Sequence, residues 1–347
     1  MPMNISLPEV KLIWSLNRVN KDKIKEGRTR LLTTGEIALA ASVFKATIQY
    51  HTVWIHHKSY LPFNLQNKHT AMTPNGELYF RDEYRDDFSQ STDELQHMFI
   101  HEMSHVWQRA RGMNVTARGL ASGLVSYRYQ LDGRLLSEYP MEQQAQIIAD
   151  NFILQIRDFS VWWRLRRDNV VTLDGDISES DIKIFYRNAL RGFPLVIREK
   201  RQFILSVLTS LFCLLILTGC PWGHMKYFPR ETARVYLKGD SICFFVPDVQ
   251  DYQPVFIAIN LRDISLQESQ FIDNPKLRLV GGQLCIPHSF YHFPDNEAGV
   301  FIIETVFHSK NTHHHPRDFI VGFKIRDRKI YNEPLTTREY DEPSNNS

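Results

Sequence analysis

One stretch constrains this chain more than any other. From Gln202 to Met225 there is no Asp, Glu, Lys or Arg, and Phe203–Leu217 is almost wholly apolar. Arg198, Lys200 and Arg201 stand immediately before it. Such a run is a buried helix, a membrane span or the apolar core of a signal peptide. A comfortable span takes roughly 20 apolar residues, and a signal core takes roughly 7–15 after a basic region. The run is short for the first and fits the second. It splits the 347 residues into 1–197, a signal or membrane segment at 198–225, and 226–347. At about 150 residues per domain, two domains are expected. The opening MPMNISLPEVKLIW has no basic start ahead of an apolar run, so no secretion signal is expected there.

The two flanks differ in character. Thr33 and Glu36 have capping-box spacing ahead of IALAASVF, and Ser91 and Glu94 repeat that spacing ahead of LQHMFIHEMSHVWQRARG, which stops at Gly112. A further helix is expected from about Met141 to Phe159, with Trp162, Trp163 and Arg164 as its packed continuation. Val53–His57 is β-branched and aromatic, and Gly76–Phe80 follows a Pro-Asn-Gly turn, so both read as strands. After residue 226 come short β-rich runs separated by Asp, Gly, Pro and Asn, the pattern of a β-sandwich, ending in a polar tail. The expected fold class is α+β: mainly helical first, all-β last. Lys plus Arg number 41 and Asp plus Glu 39, a net charge of +2. That lacks the basic field of a nucleic-acid binder, so no nucleic acid is expected as partner.

The sharpest chemical pattern is His101-Glu102-Met103-Ser104-His105. Residues four apart project from one face of a helix. Two imidazoles at that spacing can hold one Zn²⁺, and Glu102 beside them can act as the base for the solvent that such an ion activates. A catalytic zinc takes a third protein ligand. Glu142 in MEQQAQIIADNF, near the start of the next helix, is the leading donor. Asp150, two turns on, is the alternative ligand, or else a partner that orients a histidine. The chemistry implied is amide hydrolysis, with Tyr127, Tyr129 and Tyr139 as candidate oxyanion donors that spacing does not separate. The strand Gly76–Phe80 would hold an extended substrate by main-chain hydrogen bonds. His56 and His57 are strand neighbours facing opposite ways, which favours packing over metal binding. His313, His314 and His315 read as an exposed loop. Cys243 and Cys285 fall in separate β-runs and form a disulfide if that half is exported.

HEMSHVWQ at His101–Gln108 together with EQQA at Glu142–Ala145 resembles the zinc metallopeptidase toxin domains linked to Vgr and Rhs proteins of the type VI secretion system. The similarity covers about 30–160. It implies a zincin-like domain with His101, His105 and Glu142 on zinc, Glu102 as base, and a peptide or protein substrate in the periplasm of a target cell, with a peptidoglycan peptide as the second choice. Leu217-Thr218-Gly219-Cys220 is similar to a lipobox, and about 198–340 resembles the type VI immunity periplasmic lipoproteins. That implies lipidation at Cys220, contact with the membrane through the lipid or through 203–219, and a toxin–immunity contact within the chain or with a cognate partner. The basic side of the apolar run favours a cytoplasmic N-terminal half in the producing cell and a periplasmic C-terminal half. The reading is therefore a metallopeptidase fused to its immunity lipoprotein. The alternatives are an immunity-type binding protein with an inactive peptidase passenger, and a membrane-anchored housekeeping protease.

Overall fold

The computed structural model describes residues 26–115, 126–195, 228–248, 251–262, 270–294, 299–311 and 314–340. Two apolar cores organise them. The first begins with β1 (Thr29–Leu31), antiparallel to β2 (Trp54–His57), which lies parallel to β3 (Leu78–Phe80). α1 (Thr34–Phe44) starts at a reciprocal cap: the Thr33 hydroxyl accepts from the Glu36 amide, and the Glu36 carboxylate accepts from the Thr33 amide. The same carboxylate takes two hydrogen bonds of 2.7 Å from Arg30 and one of 2.9 Å from the Phe88 amide. One buried acid thereby ties helix, strand and loop together.

α2 (Asp93–Ala110) runs through the middle of this unit, and every residue from Glu94 to Gln108 is buried. Many of them are polar, which is costly unless each finds a partner. The helix therefore demands partners on all sides, and α3 (Met141–Ile156) supplies many of them along one flank. α2 ends where Gly112 turns to φ +86°, a region that favours glycine. α4 (Phe159–Arg167) begins a new helix at Asp158, whose carboxylate caps the Val161 amide at 3.0 Å, and α5 (Glu179–Ala189) follows. Phe80, Phe88 and Phe99 stack between sheet and α2 with centroids 4.6 and 5.5 Å apart. Each such buried ring contributes about 1.5–3 kcal/mol.

The second core lies between two antiparallel sheets. β4 (Val235–Lys238), β5 (Ser241–Phe245), β8 (Leu279–Val280) and β9 (Gln283–Ile286) form one, in the order β4-β5-β9-β8. β6 (Tyr252–Leu261), β7 (Phe271–Asp273), β10 (Phe301–Ser309), β11 (Arg317–Arg326) and β12 (Lys329–Asn332) form the other, in the order β12-β11-β10-β6-β7. Side chains alternate faces along a strand. On β6, Ile257 and Ile259 enter this core, whereas Phe256 and Ala258 join Val306 on the outer face and pack against Trp163 of α4. The five-stranded sheet is therefore covered on both faces, and the second cover is the helical unit. β5 and β9 place Cys243 opposite Cys285 with Cα atoms 4.1 Å apart, joined by a disulfide.

This architecture corrects the expected fold class. The described residues hold five helices against twelve strands in three sheets, and one of those sheets lies inside the half expected to be mainly helical. They are not a helical zincin-like domain followed by a transmembrane segment: among the described residues no helix is long and apolar enough to cross a membrane. The run Phe203–Gly219 and the lipobox cysteine Cys220 lie outside the described residues. The Ser91–Glu94 capping box is also corrected. The N-cap is Thr92, without a side-chain cap bond; the Ser91 hydroxyl is turned to the Asp87 carbonyl and the Glu94 carboxylate to Arg164.

Candidate metal centre

α2 brings His101 and His105 onto one face, one turn apart, and the first turn of α3 brings Glu142 against them. One Glu142 oxygen lies 3.4 Å from His101 Nε2 and 3.2 Å from His105 Nε2. The donor atoms of the three residues all fall within 4.8 Å of one another, and all three residues are buried. Bonds of about 2.0–2.1 Å in a tetrahedron put neighbouring donors about 3.3–3.4 Å apart. The two imidazole–carboxylate distances match that edge, and two nitrogens with one carboxylate oxygen are a donor set zinc accepts. Residues and group therefore fit. Glu102 stands outside the set: its carboxylate accepts a 2.6 Å hydrogen bond from the Thr73 hydroxyl. The cleft over these residues measures about 80 Å³ and is lined by Thr73, Met98, His101, Glu102, His105, Tyr127 and Glu142 among others.

Charge balance at the site follows from the burial. Burial by itself lowers the pKa of His105, but the charge and hydrogen bond of Glu142, with Glu102 adding to them, raise it to about 9. Burial raises the pKa of Glu142, yet His105 and His101 hold it far below the ordinary carboxylate range. The set asks for a positive charge at its centre, which a shared proton or a cation can supply. His105 is fixed from behind: its Nδ1 pairs with Gln108 Oε1 at 2.8 Å, and the Gln108 amide donates to the Met141 carbonyl at 2.9 Å. That link also joins α2 to the start of α3.

Of the three tyrosines, only Tyr127 lines the cleft, its ring centroid 5.7 Å from that of His101. Burial, then Glu142 and Glu102, push its hydroxyl well above the usual phenol range, and it is hydrogen-bonded to Glu142, so at neutral pH it is a donor held at the site. Tyr129 and Tyr139 are corrected as oxyanion candidates. The Tyr129 hydroxyl is engaged by Asp150 at 2.7 Å and Tyr186 at 2.6 Å. The Tyr139 hydroxyl donates to the Gln130 carbonyl at 2.8 Å, and the Arg134 guanidinium lies over its ring. Asp150 is corrected as a ligand. It is fully buried and pairs with His97 Nε2 at 2.6 Å, Tyr129, Gln146 and the Thr172 amide. The histidine it holds lies one turn before the motif.

His56 stacks on Tyr79 and His57 on Tyr84, with centroids 4.4 and 4.6 Å apart. His56 also pairs with Glu77 at 2.8 Å, and neither histidine lines the cleft. His314 faces the Tyr252 ring and His315 the Phe228 ring, and His313 lies outside the described residues. β3 starts at Leu78, not Gly76, and its Tyr79 is bridged on the open side to Met72 by hydrogen bonds of 3.0 and 2.9 Å. The backbone beside the cleft is therefore Ala71–Pro74 rather than the strand itself. Neither Thr73 nor Gln108 carries a functional pattern of its own in the sequence. Gln108 carried the fainter signal: it sits three residues after His105 on the same helix.

Residues 230–328 match the family model described as "Domain of unknown function (DUF7480)". A stretch of 134 residues, 36% of this chain, is 41% identical to the type VI secretion system spike protein VgrG2b of Pseudomonas aeruginosa. The match spans 13% of that spike protein's length. The solved effector domain of Pseudomonas aeruginosa VgrG2b aligns at 36% identity over 43% of this chain and 86% of that domain, with a TM-score of 0.35.

Proposed function

We propose that this chain is a type VI secretion effector whose helical unit hydrolyses peptide bonds with zinc held by His101, His105 and Glu142, and whose β-rich unit is an immunity-like partner. Homology to the VgrG2b effector domain points to the type VI effector setting. The observation that carries the chemistry is the convergence of two imidazole nitrogens and one carboxylate oxygen on facing helices, with Glu102 left free of the set.

Zinc bound there would lower the pKa of a water and polarise the scissile carbonyl. The protein's own groups then have definite work. Glu102, aligned by the Thr73 hydroxyl, takes a proton at its carboxylate and returns it to the leaving nitrogen. Tyr127 donates to the oxygen that becomes negative in the transition state. Gln108 holds His105 in the tautomer with Nε2 toward the centre. A peptide or protein is the substrate this chemistry suits, and a peptide of peptidoglycan is the second choice. The disulfide between Cys243 and Cys285 favours an oxidising compartment, in line with action in the periplasm and with lipidation at Cys220.

Two measurements test this. The purified chain should carry about one zinc per molecule, and Glu102→Ala should keep the metal while hydrolysis falls by about 10²–10⁴-fold. Well-folded protein without metal would defeat the peptidase. Intact mass of the chain from cells should show cleavage before Cys220 and an added lipid, and an unmodified full-length mass would defeat the lipidation.

A further inference from the structure

The helical and β-rich units meet across a charged seam that is largely buried. Arg164 of α4 reaches Glu94 in the first turn of α2 at 2.5 Å, and across the seam Asp318 of β11 at 2.7 Å and Glu304 of β10 at 3.0 Å. Arg230, from the chain before β4, sits 3.0 Å from Asp318, 3.2 Å from Glu304 and 4.0 Å from Glu94. Arg164, Glu94, Arg230 and Asp318 are between 1% and 4% exposed, and the Glu304 side chain, at 23%, reaches the edge. Beside them, Asp273 of β7 accepts from Trp163 at 3.0 Å and from Arg167 at 2.7 Å, and His308 Nε2 contacts the Arg167 carbonyl at 2.6 Å.

A buried ion cluster adds little net stability over an apolar seam, but removing one member strands the others without water or partner. Its physical use is discrimination: a surface without the matching charges is rejected. None of the cleft-lining residues comes from the β-rich unit; they run from Ala71 to Glu142. The contact sits at the N-terminal end of the metal helix, two turns from His101 and away from the cleft.

We propose that α4 with the first turn of α2 is a recognition surface for the β-rich unit as a separable partner. Arg164 and Glu94 specify it against Arg230, Glu304 and Asp318, and the partner binds from behind the metal helix with the cleft left open. This deepens the partner half of the reading above and is independent of metal and hydrolysis. Halves separated by a bilayer cannot close this seam, so the contact forms only where both units share a compartment.

The test uses the full chain in detergent, with Cys220→Ser to keep it uncleaved and a protease site inserted between residues 196 and 227. The folded chain is cut and then passed over a sizing column. The halves of the parent chain should co-elute. After the same cut, Arg164→Met and Arg230→Met should separate, with affinity falling by about 100-fold or more, the cost of buried charge left unpaired. Asp273→Ala, at the exposed rim, provides a milder variant should either arginine change prevent folding, and it should weaken the pair measurably. Parent halves that drift apart, or variants that hold together as tightly as the parent, would overturn the proposal. A chain without metal or activity would leave this result untouched.

Discussion

Thr73 and Gln108 show what a single side chain contributes beyond the motif. The Thr73 hydroxyl is the 2.6 Å partner of Glu102, and a hydrogen bond to a charged group contributes about 1.5–3 kcal/mol. Thr73→Val should leave metal content intact and lower the turnover number by about 10–100-fold, read by comparing kcat with bound zinc. Gln108→Leu should act on the metal instead, weakening affinity by about 10–100-fold in a chelator competition. His101, Glu102 and His105 were legible because helical periodicity alone puts the two histidines on one face. Glu142 was legible as a donor in the next helix. The choice among Tyr127, Tyr129 and Tyr139 was not, since it depends on which of them meets the α2–α3 seam. Thr73, just ahead of the Pro-Asn-Gly turn, carried no signal, because its partner lies 29 residues away.

At the scale of elements, α2 is the feature to explain: a helix rich in polar residues and buried along its length. Every such residue needs a partner, and the helix divides them between two tasks. His101 and His105 face Glu142, and His97 faces Asp150. Asp150→Ala should therefore cost stability without touching the metal: about 3 kcal/mol or more by denaturant unfolding, with zinc stoichiometry unchanged. If zinc were lost in a folded Asp150 variant, the division between the two tasks would be wrong. α1 was readable because its cap is local, from Thr33 to Glu36. The same spacing misled at Ser91, because Glu94 is claimed by Arg164, 70 residues away. β1 was missed for a related reason: three residues carry no alternation, and only their pairing with β2 makes them a strand.

On the scale of the whole molecule, two cores and one largely buried seam account for the architecture. The apolar runs of the second half were readable as strands. That the outer face of β6 and β10 is covered by α4 was not, since a strand buried on both faces looks the same whichever layer covers it. The seam has a pH signature. Burial raises the pKa of Glu94, but Arg164 and Arg230 outweigh it and hold it at about 2. Burial, then Glu94 and Glu304, push Asp318 up to about 6 against the two arginines, and Asp168 is raised beside them. The depressed Glu94 contributes stability that is full above the ordinary carboxylate range of about 4.5 and is lost as the pH falls below it. The raised Asp318 costs stability at neutral pH, and that cost is relieved as the pH falls through about 6. The Tm advantage of the chain over Glu94→Gln should accordingly narrow between pH 4.5 and 3, and its advantage over Asp318→Asn should grow from pH 7 to 5. A pH-independent gap in both would show the seam to be solvated. Elemental analysis of the folded full chain tests the metal centre most directly. About one zinc per chain is expected, retained in Asp150→Asn and lost in Glu142→Ala; a folded chain that binds none, or a Glu142→Ala chain that binds as the parent does, would contradict the account.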